Sequence, residues 1–316
     1  MRYRDFGKTG LKVSEVGFGA WAIGGNEHGN SYGPTEDKTS VEAIHKAVDS
    51  GCNFFDTADV YGWGHSEELL GKALKNKRDR LIIATKVGGD FYQGAGFQTF
   101  TDDYIRFALE KSLERLHTDY IDVYQLHNPP LKILNRPETY TVMKELKKEG
   151  KVRAWGVSIF DPVEGLAALK VGQPDSIQVA YNLFNLKPAS SLIPKAHAVG
   201  CAIIAREPLA NGFLSGKFEP DAVFSSGDMR QSWPQDYVLA RIFAAQKLKF
   251  LQRPGRTQTQ AVLQYVLKND LVSTVIAGAK TCPQVEENLG SGEALALTAE
   301  ELEQIKTLQL KGFASD

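Results

Sequence analysis

Apolar residues recur along this chain in two rhythms. Short β-branched and aromatic runs stand at 15–18, 53–55, 81–85, 121–125, 153–158, 176–179, 202–205 and 273–276, a pattern that predicts eight strands. Between them, 38–49, 67–75, 102–116, 137–149, 162–169 and 258–267 place apolar residues at the three-to-four spacing of a helix with one buried face. Thr101-Asp-Asp and Asp161-Pro162 suit helix starts, and Gly51, Gly150 and Gly200 suit helix stops. Strands that alternate with helices run parallel, because each return to the sheet needs a crossover. Eight such units predict an α/β fold of the TIM type, a closed (β/α)₈ barrel forming one domain over residues 1–316.

Three segments stand outside this alternation. Residues 3–6 and 12–14, joined by Gly7-Lys-Thr-Gly10, read as an N-terminal β-hairpin with Gly10 at positive φ, placed to cap one end of the barrel. Residues 211–234, after the seventh barrel strand, are rich in Gly, Pro, Ser and aromatics without periodicity. A loop that long in a compact domain suits a lid over a ligand. The stretch from Thr298 has Glu301 three residues on, a capping box for an extra C-terminal helix expected to pack across the barrel.

The 42% apolar and 24% charged content is that of an ordinary globule with a sizeable core. The net charge of -1, with both signs interleaved, gives no footprint for nucleic acid or an anionic membrane. A small-molecule partner is the expectation, for a monomer or weak homo-oligomer. Cys52, Cys201 and Cys282 lie far apart, with neither metal-ligand spacing nor a disulfide framework, which fits a reducing compartment. The opening Met-Arg-Tyr-Arg-Asp has no apolar leader, and no stretch has the length and apolarity of a membrane span, so the expected location is cytoplasmic.

Several motif matches carry little. Gly17-Phe-Gly19-Ala-Trp-Ala22 has the glycine spacing of a dinucleotide fingerprint, but Ile23-Gly-Gly-Asn continues as loop where that motif opens a helix. Gly212-Phe-Leu-Ser-Gly-Lys217 resembles a phosphate loop one step too short. No metal ligand set is predicted, and no serine-nucleophile motif is present.

Asp56, Tyr61, Lys86 and His127 read differently. Each follows or ends a predicted strand, and in a barrel the C-terminal strand ends share one mouth. Their chemistry is that of a proton relay. A phenol with an ordinary pKa near 10 exchanges its proton poorly at neutral pH, and a cation about 4 Å away lowers it by about three units. Lys86 supplies that cation, Asp56 keeps it charged against burial, and His127 can hold a carbonyl oxygen. The set suits carbonyl reduction.

On these residues the chain resembles the aldo-keto reductases over nearly its full length. The carriers are the segment from Asp49-Ser-Gly-Cys-Asn-Phe-Phe-Asp-Thr-Ala-Asp-Val-Tyr-Gly to Gly71, then Ala84-Thr-Lys86, Gln125-Leu-His127, Gly156-Val-Ser158 and Gly278-Ala-Lys-Thr-Cys-Pro-Gln-Val-Glu-Glu-Asn288, in the family order. The spacing and long lid are nearer to the bacterial and plant members related to potassium channel beta subunits. The resemblance implies NADP(H) bound without a Rossmann unit, a small aldehyde or ketone as substrate, and Tyr61 as general acid in a tetrad with Asp56, Lys86 and His127.

It also implies cofactor contacts. Trp21 and Asp56 would lie near the ribose and nicotinamide, with Ser158 and Gln178 on the carboxamide. Arg206, Glu207, Pro208, Leu209, Ala210 and Asn211 would run along nicotinamide and pyrophosphate, while Lys217 meets a phosphate and Arg230 closes the lid. Gly278, Ala279, Lys280 and Gln284 would receive the adenosine phosphate, and Glu287 and Asn288 the adenine. Three residues depart from the pattern: Arg206 stands where an aromatic usually stacks on the nicotinamide, Ile159 replaces a polar residue, and the basic pair for the 2′-phosphate is reduced to Lys280. Trp21, Phe91, Tyr92, Phe160 and Trp233 are candidates for the substrate pocket. The alternative reading is a redox-sensing module that binds the cofactor, as channel beta subunits do.

Overall fold

The computed structural model of the chain describes residues 1–28, 31–94 and 96–313. A two-stranded antiparallel hairpin of β1 (Tyr3–Asp5) and β2 (Lys12–Ser14) precedes eight parallel strands. These are β3 (Val16–Gly19), β4 (Phe54–Asp56), β5 (Ile82–Val87), β6 (Ile121–His127), β7 (Val152–Ile159), β8 (Ser176–Ala180), β9 (Ala202–Arg206) and β10 (Thr274–Gly278). They pair in sequence order, and β10 closes on β3, so the sheet is a barrel. All eight expected strands are present, with ends one or two residues from the predicted positions.

The helices outside are α1 (Asp37–Asp49), α2 (His65–Leu74), α3 (Asp102–Leu116), α4 (Leu131–Leu134), α5 (Thr141–Lys148), α6 (Pro162–Val171), α7 (Lys187–Ala198), α8 (Gln235–Gln246), α9 (Gln258–Leu267), α10 (Cys282–Leu289) and α11 (Ala299–Leu310). Helix α6 starts with the full capping box of Asp161 and Glu164, and Gly51, Gly150 and Gly200 all take positive φ at helix stops. The expected helix over 137–149 divides into a 3₁₀ turn at Pro137–Tyr140 and α5. Helix α7 was not legible because Pro188 and Pro194 interrupt its pattern, and α8 begins directly after the lid.

The hairpin closes the N-terminal end. Phe6, Leu11 and Val13 are buried with Phe54, Ile82, Val123, Ala202 and Ile204, which point into the barrel. Gly7, at φ +56°, lies so close to the helix stop at Gly200 that an added Cβ would sit 2.4 Å from the Gly200 carbonyl oxygen. Helix α11 starts on the Thr298–Glu301 capping box and buries Ile305 among Leu183, Leu214, Leu251 and Val262. Its partners are therefore α9 and the loops after β8 and β9. With its lower end sealed, the barrel is accessible at the C-terminal strand ends. Among the described residues, no helix is long and apolar enough to cross a membrane.

Candidate active site

Period-two alternation in parallel strands sends every second side chain into the barrel, and the last such layer faces the mouth. Asp56 ends β4, Lys86 is the fifth residue of β5 and His127 ends β6, so all three sit within strands rather than just beyond them. Gln125, two residues before His127, shares its face and is fully buried, as is Gln178 on β8.

Tyr61 arrives on the loop between β4 and α2. Thr57 anchors that loop, its amide donating to the Ala84 carbonyl at 2.8 Å and its hydroxyl meeting Ser66 at 2.9 Å. The following turn needs glycine: Gly62 has φ +60°, and a Cβ there would lie 2.0 Å from the Gly24 carbonyl oxygen.

The four groups meet. The Lys86 ammonium is fully buried and donates to Asp56 Oδ1 at 2.5 Å, the Thr57 carbonyl at 2.7 Å and the Tyr61 hydroxyl oxygen at 3.2 Å. The other oxygen of Asp56 accepts from Gln178 at 2.7 Å and Gln125 at 3.2 Å. The imidazole of His127 stands edge-on to the Tyr61 ring, centroids 5.8 Å apart.

Electrostatics refine the sequence-level expectation. Burial pushes the Tyr61 phenol up, Lys86 pulls it down and Asp56 pushes it up; the net direction is upward, so burial outweighs the nearby cation and Tyr61 keeps its proton. Burial also works against the Lys86 ammonium, but Asp56 and Tyr61 hold it above its ordinary value. His127 falls well below the usual histidine range through burial and the charges of Lys86 and Arg206, so the ring is neutral.

A cavity of about 960 Å³ opens above this group, and Trp21, Asp56, Tyr61, His127, Gln178, Arg206, Glu207, Pro208, Leu209, Asn211, Lys217, Arg230, Gly278, Ala279, Lys280, Gln284, Glu287 and Asn288 line it. Lys86 lies behind Asp56 and Tyr61, and Ala210 is buried among Leu183 and Leu214. Ser158, expected on a carboxamide, is buried at the end of β7 and does not line the cavity. The described residues hold no group of three or more His, Cys, Asp or Glu able to bind a metal ion.

Other expected residues have additional employment. The Arg206 guanidinium pairs with Glu207, donates to the Ile159 carbonyl at 3.0 Å, and leaves its Nε buried without a partner. Lys217 bridges to Glu287 at 3.0 Å, linking the lid to α10. Lys280 donates to the carbonyls of Tyr32, Gly33 and Pro34 at 2.7, 3.1 and 3.2 Å. Arg230 pairs with Asp228 at 2.6 Å and lies over the rings of Tyr32, Phe218 and Phe224. The lid thus has its own small core, and Trp233 packs there on Phe213 instead of lining the cavity. Tyr92 is turned to Arg115, at 2.8 Å.

The residues present fit an extended dinucleotide. Gly19 and Gly278 are register partners at the ends of β3 and β10, and a Cβ on Gly278 would meet only the Gly19 carbonyl oxygen, at 3.8 Å, so the two leave a bare trough in the cavity floor. Four cationic side chains, Arg206, Lys217, Arg230 and Lys280, border the same cavity. Sequence reasoning missed Tyr32, whose hydroxyl donates to Asn211 Oδ1 at 2.7 Å across the cavity, and Trp63, Phe97 and Asn128 on its wall. The clue for Trp63 was its setting between Gly62 and Gly64; for Asn128 it was adjacency to His127.

Known proteins are similar to this chain in sequence and fold. The model of the aldo/keto reductase family matches residues 15–309. The aldo-keto reductase YhdN of Bacillus subtilis is 35% identical, aligned over 100% of this chain and 96% of its own length. An aldo-keto reductase of Bacillus halodurans in its holo form, 33% identical, superposes with a TM-score of 0.79 over 98% of this chain and 96% of that one, against 0.71 for its apo form. The glycerol dehydrogenase of Gluconobacter oxydans, 28% identical, superposes with a TM-score of 0.83 over 99% and 97%. The chain belongs to the aldo/keto reductase family, oxidoreductases that bind nicotinamide cofactors and act on small carbonyl compounds.

Proposed function

We propose that this aldo-keto reductase uses NADP(H) to reduce aldehydes or ketones to alcohols, with Tyr61 as proton donor. The observation that carries the reading is the use of the Lys86 protons: they go to Asp56, Thr57 and the Tyr61 oxygen, which leaves the phenol hydrogen for a substrate. When bound, the nicotinamide supplies the hydride.

The chain's own groups supply the rest. Tyr61 gives its proton to the carbonyl oxygen, and Lys86, held charged by Asp56, stabilises the phenolate left behind. Neutral His127 holds the carbonyl oxygen against Tyr61, which orients the substrate without adding a competing acid. Gln125 and Gln178 keep Asp56 satisfied so that its charge stays on Lys86. In the oxidative direction Tyr61 is the base.

The cofactor contacts are those the family resemblance implies, and the lining of the cavity supports most of them. Trp21 and Asp56 would border the nicotinamide ribose, and Ser158 and Gln178, register partners on β7 and β8, would hold the carboxamide. Arg206, Pro208, Leu209 and Asn211 flank the ring and pyrophosphate, and Lys217 and Arg230 on the lid answer the phosphates. Gly278, Lys280 and Gln284 receive the 2′-phosphate, while Glu287 and Asn288 receive the adenine. The barrel acts as one catalytic domain.

The test is Tyr61→Phe. NADPH consumption with a panel of aldehydes and ketones should fall by at least about a thousandfold, while NADPH affinity, read by fluorescence titration, stays within a few-fold. Unchanged turnover rejects the proton role. A wild-type protein that binds NADPH but oxidises it with no carbonyl compound is a cofactor sensor instead.

A further inference from the structure

The outer wall of the cavity is more aromatic than carbonyl chemistry requires. Trp63 stacks on His28, centroids 4.0 Å apart and planes 7° from parallel, and lies 5.9 Å from Phe91 at 24°. All three rings line the cavity that holds Tyr61 and His127, as do Phe97 and Phe160, which are 56% and 64% exposed. Large apolar side chains left in water at one rim mark a binding surface. The backbone adds a second, independent sign. Trp63 has φ +53°, between Gly62 and Gly64, both also at positive φ. A tryptophan held left-handed is strained, and such strain persists where the site needs that side chain in that place.

Several polar groups of the same rim are already engaged, although Asn128 Oδ1 and Arg206 Nε are buried there without a partner. The Gln98 amide donates to the carbonyls of His127 and Asn128, at 3.1 and 3.2 Å, and Arg206 and Glu207 pair with each other. A polyhydroxylated substrate would bring several hydroxyls to a wall that offers rings.

We propose that the rings of His28, Trp63 and Phe91, with Phe97 and Phe160 on the same cavity, form a platform for a flat apolar group, so that the enzyme selects aryl aldehydes and ketones over short aliphatic or polyhydroxylated ones. This rests on the reductase reading and adds the class of substrate. The carbonyl end meets Tyr61 and His127 while the ring lies against Trp63. With His28 covering one face of Trp63, the ring meets the edge of this stack and the exposed Phe97 and Phe160; aromatic pairs favour edge-to-face as well as offset contacts, and the area removed from water adds to them.

The test measures kcat/KM of the full chain with NADPH for 2-naphthaldehyde, propanal and glyceraldehyde. The expected preference for 2-naphthaldehyde over propanal is about tenfold or more, carried mostly by KM, and Trp63→Ala or Phe160→Ala should reduce that ratio by about tenfold. Trp63→Phe should restore most of it, and Phe243→Ala, on the distant α8, should leave it unchanged. A ratio near one, a preference for glyceraldehyde, or a ratio untouched by Trp63→Ala overturns the platform. Calorimetric binding of 2-naphthalenemethanol to the NADP⁺ complex is the second readout and needs no turnover. Affinity lost in Trp63→Ala supports the platform even where no aldehyde is reduced, a result that would reject only the reductase reading; equal affinity for the two proteins rejects the platform.

Discussion

Replacing Lys86 by methionine, similar in length and uncharged, isolates what the ammonium does. Its nitrogen lies 3.2 Å from the Tyr61 oxygen, and at an effective dielectric near 20 a full phenolate there gains about 5 kcal/mol from it. In a transition state with about half the proton transferred, the loss is about 2.5 kcal/mol, or roughly seventyfold in rate. Stability falls for a separate reason: Asp56 remains buried without its ion-pair partner, at a cost of about 3–5 kcal/mol. Single-turnover reduction at saturating NADPH and a thermal melt separate the two effects. The double variant Asp56→Asn/Lys86→Met removes the orphaned charge, so it should recover melting temperature but not rate. A rate for Lys86→Met within threefold of wild type, or recovery of rate in the double variant, would refute the electrostatic account.

Other outcomes follow from the same geometry. Lys280→Met should weaken NADH as well as NADPH, because three carbonyls of residues 32–34 lose their donor, but NADPH by the larger factor; equal losses in fluorescence titration would show that Lys280 does not meet the 2′-phosphate. The rate of reduction should be flat from pH 6 to 9, since His127 stays neutral and Tyr61 stays protonated, and it should fall on the alkaline side; a limb near pH 6.5 would contradict the neutral imidazole. Asp59 is buried with Oδ2 unpartnered, and burial, then Glu67, raises its carboxyl well above the usual range. Its folded pKa exceeds the unfolded value, so stability is lost as pH rises from the unfolded value near 4 towards the folded one. Asp59→Asn should therefore raise the melting temperature more at pH 8 than at pH 4, which differential scanning calorimetry would show; an equal shift at both would mean the carboxyl ionises freely.

The barrel was legible because short strands buried on both faces alternate with helical periodicity at every crossover from β3 to β10 except the one between β8 and β9. The absence of α7 from the sequence reading has a physical reason. Helix α7 carries prolines at its start and inside, where local rules argue against a helix, and tertiary burial of Leu192, Ile193 and Ala196 overrides them. In the site, Asp56, Tyr61, Lys86 and His127 could be read because strand ends converge, which topology alone dictates. The partners of Lys217 and Lys280 could not, because they lie 70 and more than 240 residues away and depend on how the loops over the mouth fold.

Burial explains why this arrangement takes five residues and not two. A tyrosine and a lysine alone would share a dry pocket in which burial opposes both the phenolate and the ammonium, and the cation would be the first to be lost. Asp56 prevents that, but a carboxylate so close to the phenol also raises it, so its charge has to be spent on Lys86 and on nearby donors. The amides of Gln125 and Gln178 do this from β6 and β8, and the Thr57 carbonyl takes the remaining ammonium proton. On the proposed reading, the result is a phenol that acts as an acid only when a carbonyl oxygen begins to carry charge beside it. Parallel strands of one barrel are suited to this, since β4, β5, β6 and β8 each deliver one polar group to the same layer at fixed register, and a loop pinned by Gly62 against Gly24 delivers the fifth.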